Sequence, residues 1–333
     1  MSAPYRIFGI ELSPYSVKVR SYFRYKQIPH EWVVRNMGNM AEFQKLAKLP
    51  LIPLVVAPDG GAMQDSTPIL EKMEAAFPEP SIHPADPVLA FLSALLEEYG
   101  DEWGNKHMFH YRWWYEPDQQ SAARRIAEAN LPEAPAEAVD QMTNALVERM
   151  VPRLSFVGSS ATTKDQIEAS LARQIDLVDA HLAGRKYLFG DRPALADFGL
   201  WGQLYNAWTD PTPAALMKGR DHLLAWIERM LEPVAEGDFE SAEALVPTLE
   251  PLLAEDVAAL FLPWSTANAV ALAEGKGEFS VELEGRTFTQ QTQKYHAKSL
   301  KVLKARYAAV AESDRAALDP ILERTGCLRW LQP

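Results

Sequence analysis

Leu12-Ser13-Pro14-Tyr15-Ser16-Val17-Lys18-Val19-Arg20 sets hydroxyls at a junction between a short apolar run and a stretch of helical spacing. If the first is a strand and the second a helix, Ser13 and Ser16 face the helix's N-terminal end. Uncommitted N–H groups and the macrodipole there favour an anion. Such a hydroxyl can donate to a bound anion, or it can accept from the helix backbone as an N-cap. The residues alone leave both roles open. Two later segments, Leu51-Ile52-Pro53-Leu54 and Gln64-Asp65-Ser66-Thr67, carry related signals. Pro53 can start a strand, with Pro50 close by, and Asp65-Ser66-Thr67-Pro68 can cap a helix or hold a carboxylate at its start.

The elements that must position these groups alternate. Arg6–Ile10, His30–Val34 and Leu54–Ala57 read as strands, and Val17–Tyr25 and Met40–Leu49 as helices. Pro58-Asp59-Gly60-Gly61 is a turn after which Ala62–Gln64 can return, and a helix opens at Thr67-Pro68. The order β-α-β-α-β-β-α describes a mixed α/β unit of thioredoxin type. Four prolines between residues 78 and 87 then make a stiff connector. Beyond it the pattern is helical. Ile167, Leu171, Ile175, Val178 and Leu182 form one stripe ended by Gly184, and Ala196–Asn206 is apolar nearly all round, as a central helix would be. After Glu236-Gly237-Asp238 a further segment reads as a helix from Pro251 to Leu260, a hairpin turning at Glu284-Gly285, and a basic helix from Tyr295 to Tyr307 whose lysines face solvent. The expected division is 1–82, a linker over 83–88, a helical unit over 89–235 and an extension over 236–333.

Composition narrows the function. A net charge of −12 over 333 residues argues against nucleic acid or an anionic membrane surface as partner. One cysteine, Cys327, excludes an intrachain disulfide and any cysteine-based metal cluster. No signal segment or long apolar span is evident, so a cytoplasmic protein is the expectation. His107 and His110 lie three apart without a third ligand, so no metal is expected, and Glu97 and Asp101 read as a solvated helix face.

The three segments, in this order and spacing, resemble the glutathione site of serine-type glutathione S-transferases with a thioredoxin-like N-terminal domain. Ser13-Pro14-Tyr15-Ser16 is similar to the Cys-Pro-Tyr-Cys of glutaredoxins with hydroxyls in place of both thiols. The resemblance implies a four-stranded mixed sheet followed by an all-helical domain. It makes Ser13 the catalytic residue, with Tyr15 and Ser16 as its helix-start neighbours. It implies a cis bond at Ile52-Pro53, with the Ile52 backbone pairing to the cysteinyl unit of glutathione. Asp65 would meet the γ-glutamyl ammonium and Ser66 its carboxylate. Gln64 and Lys48 would complete the set, Lys48 toward the glycyl carboxylate. Glutathione is then the cosubstrate, and a thiolate favoured by a hydroxyl and a helix N-terminus is the nucleophile.

The same resemblance covers residues 5–235. It implies an apolar second-substrate wall on the first helices of the second domain, for which Met108, Tyr111 and Tyr115 are the candidates. Tyr187–Asp197 resembles the entry to the family's central helix, except that Ala194 stands where a capping Ser or Thr is usual, so Asp197 must cap alone. The family implies a homodimer and a small hydrophobic electrophile. A catalytically silent ligand- or partner-binding protein is the rival reading. A glutathione-dependent lyase or isomerase and a thiol reductase stand further back, the reductase because position 13 lacks a thiol.

Overall fold

The computed structural model describes residues 3–332. Its first unit runs β1 (Tyr5–Gly9), α1 (Pro14–Tyr25), β2 (His30–Val34), α2 (Met40–Leu46), β3 (Leu54–Val56), β4 (Ala62–Gln64) and α3 (Ser66–Ala76), in the expected order. The strands lie β2-β1-β3-β4, with β1 parallel to β2 and the other neighbours antiparallel. Strand alternation sorts the side chains. Ile7 and Val55 join Val17, Val19 and Leu70 in the core under α1 and α3, while Phe8, Leu54 and Val56 meet Phe43 of α2 on the other face. Phe8, Leu54 and Gln64 stand abreast in the register. The chain therefore leaves β1, enters β3 and leaves β4 at one end of the sheet, and that topology alone gathers residues 13, 53 and 65.

α4 (Pro87–Tyr99) opens inside the expected connector, because the Asp86 carboxylate accepts from the N–H groups of Val88 and Leu89 at 2.8 and 3.3 Å. It continues through a widened π-type stretch, Gly100–Gly104, into α5 (Asn105–Trp114). Then come α6 (Glu116–Asn130), α7 (Ala136–Met150), α8 (Lys164–His181), α9 (Leu195–Trp208), α10 (Pro211–Met217) and α11 (Asp221–Arg229). α9 is buried along nearly its whole length, as its unbroken apolar character predicts. Its cap is Asp197 alone: the carboxylate accepts from the N–H groups of Ala194 and Leu188, both at 2.8 Å, and from Trp226 at 2.9 Å. Gly202 lets α9 approach α1, since a Cβ there would meet the Pro14 carbonyl oxygen at 2.7 Å.

The tail departs from expectation at its first helix. α12 (Ala242–Leu252) starts well before Pro251, capped by Ser241 Oγ, which accepts from Ala244 N at 3.3 Å. Pro247 and Pro251 lie within it, and a second π-type stretch, Leu253–Phe261, follows directly before α13 (Leu262–Ala273). Proline cannot donate to the carbonyl four residues back, so the regular ladder is interrupted there. β5 (Glu278–Leu283) and β6 (Arg286–Gln291) form the hairpin, with positive φ at both Glu284 and Gly285. α14 (Lys294–Ala309), α15 (Glu312–Arg324) and α16 (Leu328–Leu331) close the chain. This tail shares the main core: Trp264 and Phe288 each place a ring 5.7 Å from Trp103. Among the described residues no helix is long and apolar enough to cross a membrane.

Candidate functional site

Ser13 sits at the N-cap of α1. Its Oγ accepts from Ser16 N at 3.3 Å and from the Ser16 hydroxyl at 2.9 Å. Capping and anion binding are thus compatible, because the two bonds use the lone pairs of Ser13 and leave its own proton to donate. The Ser16 hydroxyl, fully buried, polarises Ser13 in the direction that strengthens such a donation. Tyr15 is committed elsewhere: its hydroxyl donates to the Asp101 carbonyl at 2.9 Å and pins the start of α1 to the helical unit. Burial lifts that phenol above its ordinary range.

The Ile52-Pro53 bond is cis. Pro53 is buried, and among the described residues the Ile52 backbone makes no hydrogen bond. Gln64 does not point into open space. Its Oε1 accepts from the N–H groups of Lys48 and Leu49 at 2.8 and 3.0 Å, and its Nε2 donates to the Leu49 and Leu51 carbonyls at 2.8 and 2.7 Å. One amide therefore shapes the whole loop ahead of Pro53. Lys48 is exposed, and Leu49 and Leu51 on that loop are 56% and 61% exposed.

Asp65 precedes α3 with φ 78°, a left-handed value for a non-glycine residue. Its carboxylate does not cap the helix. α3 instead begins at Ser66, one residue ahead of the Thr67 start that the proline suggested. The N–H groups of Ser66 and Thr67 have no partner among the described residues, and Pro68 has none to offer. One Asp65 oxygen, Oδ1, accepts from the hydroxyl of Tyr295 in the tail at 2.7 Å.

Beneath this corner lies a charge cluster that corrects the surface reading of Glu97 and Asp101. Both are buried. Lys18 donates to Glu97 Oε1 at 2.5 Å, to Asp101 Oδ2 at 2.6 Å and to Thr67 Oγ1 at 3.0 Å. The i, i+4 pair of acids faces inward because α1 supplies the cation, which their own helix lacks. Burial alone would lower the Lys18 amine, but the two carboxylates override it and raise it.

The helical unit reaches the segment before Ser13 through Arg112. Met108 and Tyr111 are buried in the main core, and Tyr115 stacks on Tyr111 with ring centres 5.8 Å apart while its hydroxyl donates to Glu168 at 2.8 Å. Half-buried Phe109 and Trp114, together with Leu12, pack on the cluster that holds Trp113. Arg112 fixes this arrangement, donating to the Leu12 carbonyl at 2.8 Å and to Asp210 at 2.7 Å. Arg112 was readable only as one cation inside an aromatic run. His107 lies 2.9 Å from Ser170 Oγ, and His110 lies 2.7 Å from Ser159 Oγ and 3.1 Å from Glu168. Among the described residues no group of three or more His, Cys, Asp or Glu is placed to hold a metal ion. Cys327 is fully buried, and burial pushes its thiol up to about 12.

Residues 7–81 match the glutathione S-transferase N-terminal domain and residues 144–229 the glutathione S-transferase C-terminal domain. A probable glutathione S-transferase of Oryza sativa subsp. japonica is 23% identical over 239 residues, spanning 69% of this chain and 95% of that one. Among solved structures, the beta-etherase LigF of Sphingobium sp. strain SYK-6 is 18% identical with a TM-score of 0.49, covering 75% of this chain and all of that one (100%). A Tau class glutathione S-transferase from mango, Mangifera indica, is 18% identical with a TM-score of 0.43, covering 76% and 100%. With both domains matched in order on a sheet and a helical unit of the corresponding type, the chain belongs to the glutathione S-transferase family.

Proposed function

We propose that the protein is a glutathione-dependent enzyme in which Ser13 holds the glutathione thiolate for attack on a small apolar electrophile. One observation carries this reading. Three segments far apart in sequence meet at one end of the sheet, each presenting uncommitted groups: the Ser13 hydroxyl proton, the Ile52 backbone and the α3 N-terminus beside Asp65. The tripeptide would lie across that end. The Ile52 backbone pairs with the cysteinyl unit, the Ser66 and Thr67 N–H groups take the γ-glutamyl carboxylate, and Asp65 takes the ammonium.

A free thiol has a pKa near 8.5, and lowering it by about two units needs roughly 2.7 kcal/mol of preference for the thiolate. A charge-assisted hydrogen bond from Ser13 together with the α1 dipole is of that size. The thiol proton leaves to solvent. The sulfur pair then forms a bond to an electrophilic carbon, whose leaving group departs with its bonding pair. Leu12, the residue before Ser13, packs with Phe109 and Trp114 on one apolar cluster, and exposed Leu49 and Leu51 lie on the loop before Pro53; these apolar side chains are the candidates to receive the electrophile.

Titration of bound glutathione by thiolate ultraviolet absorbance tests the reading. The thiol of the complex should ionise below its free value. Ser13→Ala should return it toward that value and lower turnover roughly a hundredfold, the scale for losing one donor to a developing anion. An unshifted thiol and an unaffected Ser13→Ala variant would instead favour a silent glutathione-binding protein.

A further inference from the structure

The tail reaches the corner where the amino end of glutathione would lie. α14 is tied to the rest of the chain by Tyr295 on Asp65 at 2.7 Å, by Arg306 on Glu71 of α3 at 2.5 Å and by His296 on Glu102. Between α3, α4 and α14 is a cavity of about 120 Å³ whose walls carry more acids than bases, with Asp65, Glu98, Asp101 and Tyr295 among them beside Lys298 and Arg306. The Asp101 side chain is only 8% exposed, and Lys18 occupies its Oδ2. Its Oδ1, like Glu98 Oε2, has no partner among the described residues. A buried carboxylate oxygen without a donor is costly, so these two atoms mark where a donor belongs. Burial, then the neighbouring carboxylates, push Asp101 up to about 7 and Glu98 up to about 8, and a cation placed there would replace the protons they retain.

The chemistry of the occupant follows from this wall. Among the described residues these acids form no group placed to hold a metal ion. An ammonium group, with three donors and a compact charge, matches separate single oxygens. The volume suits an alkylammonium end rather than a whole tripeptide.

Building on the glutathione reading above, we propose that α14 completes the amino end of the site. The γ-glutamyl ammonium enters this cavity beside Asp65 and donates to Asp101 Oδ1 and Glu98 Oε2, while Tyr295 acts as a positioning residue that holds Asp65. The extension is then a working part of the ligand site rather than an appendage.

Calorimetric titration of the full chain with glutathione, and with its analogue lacking only the γ-glutamyl amino group, tests the proposal. The wild-type protein should prefer glutathione by about tenfold or more, the scale of a charged hydrogen bond. The isosteric Glu98→Gln variant and Tyr295→Phe should each reduce that preference at least about threefold while leaving analogue affinity within about twofold. A preference that survives both substitutions, or glutathione binding that tightens in Tyr295→Phe, would overturn the role of α14 and leave the glutathione reading standing. Failure of the wild-type protein to bind either ligand would overturn both.

Discussion

Two lysines of this chain are equally buried and electrostatically opposite. Lys18 is 0% and Lys106 1% exposed. Lys18 faces two carboxylates and its amine is raised. Lys106 faces no carboxylate among the described residues. Its Nζ donates to Gln290 Oε1 at 2.6 Å and to the Val157 carbonyl at 3.1 Å, and it lies 3.8 Å from the centre of the Trp264 ring. Burial drives its amine well below the ordinary value. Desolvation acts on both in one direction, so the neighbours decide the sign. The difference also sorts the two junctions of the molecule. An ionic cluster joins the glutathione-type unit to the helical unit under the Asp65 corner, and an aromatic box joins the helical unit to the tail.

Removing the cation from the ionic junction should break it. Lys18→Met leaves Glu97 and Asp101 buried without their counter-ion, at a cost of about 3–5 kcal/mol in urea unfolding at neutral pH. Asp101, already held above its ordinary value by burial, loses the cation that opposes this, so its folded pKa rises further above the unfolded one. The folded state binds more protons than the unfolded state, and the variant should lose further stability as pH rises through those values. A loss below about 1 kcal/mol would show that the cluster is worth no more than a surface pair.

The same substitution at the other junction should do the reverse. Lys106→Met removes an amine that no acid compensates, and Gln290 Oε1 keeps a donor in Trp264 Nε1 at 3.0 Å. The expected gain is about 1–2 kcal/mol, the relief of a buried amine without a counter-ion set against the donor that the Val157 carbonyl loses. Because the folded pKa of Lys106 is depressed, the unfolded state binds the extra proton between that value and about 10.4. Wild-type stability therefore rises with pH across that window, and the advantage of Lys106→Met shrinks toward alkaline pH. A variant whose advantage grows with pH would reverse the assignment of sign.

Sequence reasoning reached these two junctions unequally. Ser13, Ile52-Pro53 and Asp65-Ser66 were legible because each is a local signal at an element boundary, and the strand order that unites them follows from the alternation of elements. Glu97 and Asp101 were misread because their i, i+4 spacing is that of a solvated face, and the lysine that draws them inward lies 79 and 83 residues away. Tyr295 on Asp65 spans 230 residues, beyond any local pattern. Gln64 was read as a glutathione-binding candidate by its place in the motif; that its two-ended amide also serves a loop needing both a donor and an acceptor was not legible, because the loop lies 13 to 16 residues away. α12 was cut short because Pro251 read as a helix start, when Ser241 supplies an earlier cap.

Thr67 offers the finest test of the ionic junction, because its hydroxyl touches the cluster without carrying charge. Its Oγ1 accepts from Lys18 at 3.0 Å and donates to Glu97 Oε1 at 2.5 Å, so it bridges cation and anion one residue beyond Ser66. Thr67→Val keeps the side-chain shape and removes both bonds. Lys18 retains Glu97 and Asp101, so no charge is orphaned, and the loss should be about 1.5 kcal/mol, the low end for a hydrogen bond to a charged group. In a Lys18→Met background the hydroxyl has lost its donor but still satisfies Glu97, so adding Thr67→Val should then cost more than it does alone. Equal costs in the two backgrounds would mean that Thr67 packs against the cluster without belonging to it.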